Sequence, residues 1–371
     1  MKCIRCGHDS KYKERSNQTC PRCNGRFAFE PRQGAKLTDQ AFQNAIDRGS
    51  GDGKLRWGAE HLYYEVARRL RPRAWFRTRN SQIGGAVVGA AGLFITYEMG
   101  LLFLVGYAIA GGGLAVHQYR RARAATIGLD RTAFSGMLIA WERAHGRPKG
   151  LIVRPEAPAQ SRPRRVLESD LADYSFDRAV ICDRAQTVDL LLANNFHFEN
   201  NCAVLSVEGY PPGPFETVRT MLKRNPKLQV FALHDATVEG CRLARRLATD
   251  PAWFAGQVSV TDVGLRPGQA GPFQGLWLPS PVPNVMPENG IKPAEAEWLG
   301  KYSLELAAIR PDQVLKRLFR AMNRKPEDDD DGDSGSGGGS GDGDGDDDVI
   351  EDHDSFSTDA SADDGGADSF G

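Results

Sequence analysis

Cys3, Cys6, Cys20 and Cys23 form a C-x2-C pair, thirteen intervening residues and a second C-x2-C pair. Each pair can chelate one metal through a tight knuckle turn. Two knuckles together close a tetrahedral thiolate site of the kind that holds structural zinc. Gly7 follows the first knuckle and Asn24-Gly25 the second, where such a turn needs positive φ. Disulfide pairing is the other reading of these cysteines. It fits poorly with a chain opening Met1-Lys2-Cys3, where the metal motif occupies the place of a secretory h-region. Cys182, Cys202 and Cys241 sit in apolar runs and read as buried thiols. A second group able to do chemistry is carboxylate-rich: Asp183, Glu208, His234, Asp235 and Asp262, each closing or following a short apolar run.

Those runs are the elements that position the second group. Residues 179–182, 202–207, 228–233 and 257–263 read as strands. Between them, 185–194, 215–224 and 238–248 carry helical patterning. Strands alternating with helices imply right-handed crossovers and a Rossmann-like, mainly parallel sheet covered on both faces. Its active edge is then the carboxyl end of the strands, where the five polar residues fall.

Upstream, Thr38 or Asp39 can cap a helix that ends before the Gly49-Ser50-Gly51-Asp52-Gly53 break. In the next helix Ala59, Leu62, Tyr63, Val66, Ala67 and Leu70 make one apolar stripe. Tyr64 points off that stripe, and the arginines take the other faces, suited to anionic headgroups or a phosphate backbone. From Ile83 to Val116 the 34 residues contain one charged group, Glu98. As one helix they would run about 51 Å against a hydrocarbon core of about 30 Å. Split at Tyr97-Glu98-Met99-Gly100, they read as a two-helix transmembrane hairpin. Arginines flank both ends, Arg68 to Arg79 before it and Arg120, Arg121 and Arg123 after it, so both termini are expected in the cytoplasm. A glycine-rich hairpin inside a soluble core is the alternative.

The formal charge of −1 hides an asymmetry. Residues 1–325 hold all 47 Lys and Arg against 30 Asp and Glu, a balance of +17. Residues 326–371 hold 18 acids and no Lys or Arg. A basic body implies polyanionic partners, nucleic acid or anionic lipid. The Asp-, Gly- and Ser-rich tail reads as disordered, and its charge is suited to masking that body. An EF-hand reading from Asp342 fails, since position 6 is Asp347 rather than glycine and position 12 is His353 rather than glutamate.

Two motifs then suggest a family. VLSVEGYPPG, about twenty residues, and VFALHDATVEG resemble the motifs of a Toprim domain, the module of bacterial primases, topoisomerases, RecR recombination proteins and OLD-type nucleases. The resemblance covers about residues 200–265. It implies Glu208 as the general acid or base and Asp235 as a magnesium ligand. The second aspartate of the family's D-x-D falls on Thr237, and DATVEG is closest to the RecR form. Glu239 sits where type IA topoisomerases carry a following acid. HLYYEVARR also resembles the tyrosine pair of topoisomerase VI, with Tyr64 as the matching nucleophile. Without the family, Glu208 and Asp235 read equally well as caps of helix N-termini after their strands.

The fold expected is therefore multidomain: a four-cysteine zinc ribbon (1–30), a small helical, winged-helix-like domain (37–72) and a transmembrane hairpin (83–117). A helical connector (130–153), a Toprim-like α/β domain (166–278), C-terminal helices (291–324) and an acidic tail (326–371) follow. The function expected is a zinc-ribbon, Toprim-like protein of a bacterial-type inner membrane, binding or acting on nucleic acid. Magnesium is the metal that phosphodiester chemistry would use. The alternative is a non-catalytic adaptor that uses ribbon and α/β domain for protein partners.

Overall fold

A computed structural model describes residues 1–71, 126–153, 176–287 and 290–324. At the N-terminus each cysteine knuckle is closed by a short antiparallel bridge, Lys2 with Asp9 and Thr19 with Arg26. Gly7 (φ 72°) and Asn24 (φ 53°) take the positive φ the turns require. Gly25 serves a different need: a Cβ there would meet Cys23 Sγ at 3.2 Å and the Arg5 side chain at 2.9 Å.

Helix α1 (Asp39–Gly49) is capped by Thr38, whose Oγ1 accepts from Ala41 N at 3.2 Å. Asp39 turns the other way. It is buried, and its carboxylate accepts from Ala28 N (3.0 Å) and Phe29 N (2.8 Å) and meets His145 Nε2 at 2.5 Å. His145 ends α3 (Arg131–His145), so one carboxylate ties the ribbon's exit to two helices. Helix α2 (Ala59–Leu70) lies between them in sequence and is buried on every residue from His61 to Ala67. The amphipathic surface helix expected there is a central helix instead. Arg68 of its last turn folds back onto Glu65 and the Ala308 carbonyl.

The α/β unit follows the alternation expected from sequence. Strands β1 (Arg178–Cys182), β2 (Cys202–Ser206), β3 (Gln229–Leu233) and β4 (Val260–Asp262) form one sheet in the order β2-β1-β3-β4, every pairing parallel. Alternate side chains face opposite ways. Val180, Cys182, Val204, Phe231 and Leu233 enter one core, and Ala179, Ile181, Ala203, Leu205, Val230 and Ala232 the other. Helix α4 (Ala185–Ala193) covers the first face through Val188 and Leu191. Helices α5 (Phe215–Arg224) and α7 (Leu243–Thr249) cover the second through Phe215, Leu222, Leu243 and Leu247; the one-turn α6 (Val238–Cys241) precedes α7. The chain leaves β1 toward β2 and then returns past it to β3. Crossovers of one hand must then place α4 and α5 on opposite faces, as observed.

The core on the α4 side extends beyond the α/β unit. It joins Phe29, Phe42, Trp57, Tyr63, Tyr64 and Trp141 to the sheet and to Val314, Leu318 and Met322 of the C-terminal helix α9 (Pro311–Asn323). Between the sheet and α9 the chain forms α8 (Pro293–Leu299) and a short antiparallel pair, β5 (Leu278–Pro279) with β6 (Tyr302–Ser303).

Among the described residues no helix is long and apolar enough to cross a membrane. The longest, α3, has 15 residues and so spans about 22 Å, short of a hydrocarbon core of about 30 Å. This finding corrects the membrane-spanning part of the expected fold class, and with it the inner-membrane location and the topology of the termini. Residues 83–117, with Glu98, lie outside the described residues, as does the acidic tail.

Candidate functional site

The four N-terminal sulfurs converge. Cys3 and Cys23 Sγ lie 3.7 Å apart, as do Cys6 and Cys20 Sγ, and all four lie within 4.8 Å of one another. Four sulfurs at tetrahedral corners about 2.3 Å from one ion would sit about 3.8 Å apart, so the spacing suits a metal such as zinc. A disulfide would need about 2.05 Å, and all seven cysteines are free. Burial pushes the Cys20 thiol up, but the backbone N–H groups of Cys23 and Arg22 and the neighbouring thiols outweigh it and bring it down to about 7. At Cys23 of that knuckle the Gly25 N–H pulls the other way, but the neighbouring thiols push it up to about 12, so the cluster favours a thiolate at Cys20 over one at Cys23.

The carboxyl edge of the sheet is organised differently. The strand order reverses between β1 and β3, and Asp183 and Asp235 stand at that switch point. Asp183 Oδ2 accepts from Asp235 N at 2.8 Å. Asp235 is buried; its Oδ1 accepts from Leu306 N at 2.6 Å, and Arg184 Nε lies 2.6 Å from its Oδ2. Arg184 Nη1 reaches Glu305 Oε1 at 3.1 Å. The other Glu305 oxygen accepts from Arg131 Nη2 at 2.5 Å and from the Tyr64 hydroxyl at 3.1 Å. Six side chains from α2, α3, the β1 and β3 ends and the segment before α9 therefore form one network, in which Asp183 Oδ1 and Asp235 Oδ2 are buried without a hydrogen-bond donor. A cleft lined by His61, Arg184, Thr187, Asp235 and Glu305 opens beside it.

Electrostatics follow from this packing. Burial pushes Asp183 up to about 6, with Glu208 adding to the rise against the pull of the Asp235 N–H and Arg184. Burial and the Asp183 charge push Asp235 well above the usual carboxylate range, with Arg184 opposing them. Burial, then Glu305, drives Tyr64 well above an ordinary phenol. Burial lowers His61 to about 4, which leaves a neutral imidazole at the cleft.

The residues singled out from sequence take separate places. Glu208 is exposed, and its Oε2 accepts from Ala185 N at 2.9 Å, the first turn of α4. It is a cap, though for the helix after β1 rather than the one after its own strand. Thr237, where the family pattern wants aspartate, caps α6 by accepting from Gly240 N at 3.0 Å. Glu239 is exposed and touches Arg242 at 3.9 Å. Among the described residues, the cysteines are the group of three or more His, Cys, Asp or Glu whose ligand atoms come together; Glu208, Asp235 and Glu239 do not. The strand order explains why. With β1 between β2 and β3, the two strand ends stand about 10 Å apart, two strand spacings. Tyr64 is fully buried with its hydroxyl on Glu305, so it is placed as a structural phenol and not as a nucleophile open to substrate.

At the β3–β4 edge, buried His234 meets the Asp235 carbonyl through Nδ1 (2.8 Å) and Asp262 Oδ1 through Nε2 (2.9 Å). A Cβ at Gly264 would stand 2.2 Å from the imidazole, so only glycine fits there. Arg266 clamps the second Asp262 oxygen from Nε (2.9 Å) and Nη2 (2.6 Å). Burial works against the Asp262 charge, yet His234 and Arg266 bring its carboxyl down to about 2.

Sequence reasoning missed Arg184, Arg131 and Glu305. Arg184 had a signal, since it directly follows the polar residue that ends β1. Glu305 had none, because only the tertiary fold brings it to Tyr64 across 241 positions. No protein-family model matches this chain, and no curated protein or solved structure is similar enough to it to count as a match.

Proposed function

We propose that this protein is a zinc-ribbon, Toprim-like nucleic-acid-binding protein whose sheet edge holds the fold together and does no phosphodiester chemistry. Structural zinc in the ribbon is part of this reading. Its support for a polyanionic partner is the +17 balance of residues 1–325. The observation that carries the non-catalytic part is Asp235. Its Oδ1 accepts from Leu306 N–H, its Oδ2 lies against the Arg184 guanidinium as an ion pair without a hydrogen bond, and the side chain is buried. Magnesium retains several waters and asks for carboxylates it can reach. The Asp235 oxygen that accepts no hydrogen bond lies against the Arg184 guanidinium, Thr237 is a helix cap and Glu208 faces another helix.

The test is a fluorescence-anisotropy titration of labelled DNA and RNA with zinc-loaded protein ending at Lys325, alongside cleavage assays with magnesium and manganese. Binding that weakens steeply with salt, without cleavage, is the expected result. Cleavage abolished by Asp235→Ala would restore the enzymatic reading. Absence of binding at low salt would turn the assignment to a protein adaptor.

A further inference from the structure

The ribbon carries a second pattern besides its thiols. Lys11, Lys13, Arg22, Arg26, Arg32 and Lys36 are all exposed. None of them makes an ion pair among the described residues. Of the acids in the same segment, Asp9 pairs with the N-terminal ammonium (2.8 Å) and buried Glu30 with Arg15 (3.0 Å), while exposed Glu14 accepts from Lys11 N (2.9 Å) and keeps its charge among the cations. The six exposed cations therefore outnumber the one acid, Glu14, that is left without a charged partner beside them. This contrasts with the sheet edge, where Arg184, Arg131 and Arg266 are each held by a carboxylate. Among these cations stands Tyr12, 37 % exposed, with the Arg32 and Arg15 guanidiniums 5.3 and 5.9 Å from its ring centroid, contacts that a stacking base would share or displace. An exposed aromatic among unpaired cations is the combination that binds single-stranded nucleic acid, because bases stack on the ring while phosphates meet the cations.

The platform is also anchored to the helices behind it. Arg5 Nη2 donates to the Ala144 carbonyl at 2.8 Å, and the Asp39 carboxylate fixes the ribbon's exit at Ala28 and Phe29. Arg143, Arg147 and Lys149, which flank the Ala144 contact in sequence, are exposed as well. Holding the cations on a metal-closed fold removes the ordering cost that a flexible basic arm would meet on binding.

We infer that the exposed cations of the cysteine ribbon, together with Tyr12, are the groups on which this protein takes single-stranded nucleic acid. This rests on the nucleic-acid reading above and assigns it a place and a strand preference. A two-fold repeat of short knuckles with outward cations, and not the carboxyl edge of the sheet, then decides affinity.

The experiment compares zinc-loaded protein ending at Lys325 with the variant Lys11→Gln/Lys13→Gln/Arg22→Gln/Arg26→Gln, using a labelled oligothymidylate and a duplex of equal length. Zinc content of each protein is measured first, so that loss of fold is separated from loss of contacts. The expected result is a zinc-loaded variant with affinity for the single strand reduced roughly 100-fold and a log–log salt slope shallower by about 3. Tyr12→Ala should cost roughly 10-fold on the single strand and little on the duplex. Lys223→Gln/Lys227→Gln, on the far side of the sheet, should match the parent. Unchanged affinity and slope in the zinc-loaded fourfold variant would overturn the inference while the nucleic-acid reading stands. Failure of the parent to bind either probe would remove that reading and the inference with it. Should the fourfold variant lose its zinc, Arg32→Gln/Lys36→Gln, outside both knuckles, gives the same comparison with a slope change of about 1.4.

Discussion

The cysteine ribbon and the carboxyl edge of the sheet both gather reactive side chains, and they leave opposite things open. In the ribbon, four thiols face one another and the cations around them face solvent. At the sheet edge, carboxylates and guanidiniums answer each other: Asp235 with Arg184, Glu305 with Arg131 and Arg184, Asp262 with His234 and Arg266. Both regions hold charge at a place where function is usual. The first turns four thiols toward one point, whereas the second keeps two buried carboxylate oxygens, Asp183 Oδ1 and Asp235 Oδ2, without a hydrogen-bond donor. A cluster at a functional position is more informative when its partners are missing than when most are supplied from within.

The contrast breaks most visibly through the metal. Residues 1–30 bury little apolar surface, and the small core there is Cys3, Cys20 and Phe27. Cys20→Ser should therefore unfold the ribbon, because binding free energies on the order of 10 kcal/mol accompany four-thiolate zinc sites. Metal analysis should give one zinc per chain in the parent and none in the variant, and amide NMR should lose the dispersed signals of the ribbon alone. A ribbon that keeps its fold without metal would remove the first half of the comparison.

The second half is broken at Asp235. Asp235→Ala leaves the buried Leu306 N–H without its acceptor and the part-exposed Arg184 with Glu305 alone, and should lower the unfolding free energy in urea by about 2 kcal/mol. A loss below about 0.5 kcal/mol would mean that the network is decoration and that Asp235 is held for some other purpose.

A pH series sharpens the same point. Asp183 titrates higher in the folded chain than in the unfolded one, so its contribution to stability is fully present below about pH 4 and is lost as pH rises through about 6. Asp262 runs the other way. Its stabilisation is present above about pH 4 and lost as pH falls toward 2. Asp183→Asn should thus gain stability relative to the parent across the interval from about pH 4 to 6 and remain ahead above it. A difference independent of pH would contradict the assignment of burial as the cause.

The smallest effect is expected at Thr237. Thr237→Ala removes the acceptor for Gly240 N and should cost about 1 kcal/mol, whereas Thr237→Asp keeps a cap and should stay close to the parent. Thr237→Asp also restores the D-x-D pattern, so isothermal titration of magnesium tests whether pattern or position governs. No gain in binding is expected, because Asp235 remains tied to Arg184 and Leu306.

What could be read in advance followed the range of the interactions. The cysteine knuckles, the Thr38 cap and the four strands with their intervening helices depend on neighbours within a few residues, and the sequence pattern carries them. The sheet edge depends on β1 lying between β2 and β3 and on a segment near residue 305 folding back over it. Neither leaves a local trace. Helix α2 failed for a related reason. Its stripe of Leu62, Tyr63 and Val66 is genuine, but burial of Tyr64 and Glu65 needs a partner on the second face, supplied by Glu305 and Arg310 from far along the chain. The membrane reading of 83–116 rests on hydrophobicity and flanking arginines; that run lies outside the described residues, among which no helix is long and apolar enough to cross a membrane.

The account's central claim is that the ribbon binds while the sheet edge stabilises. One paired measurement on protein ending at Lys325 tests it most directly: unfolding free energy and oligothymidylate affinity, each for Asp235→Ala and for Lys11→Gln/Lys13→Gln/Arg22→Gln/Arg26→Gln. The account predicts that Asp235→Ala loses stability and keeps its affinity, while the ribbon variant keeps its stability and loses its affinity. The crossed result, affinity lost at Asp235 and stability lost with the ribbon cations, would contradict it.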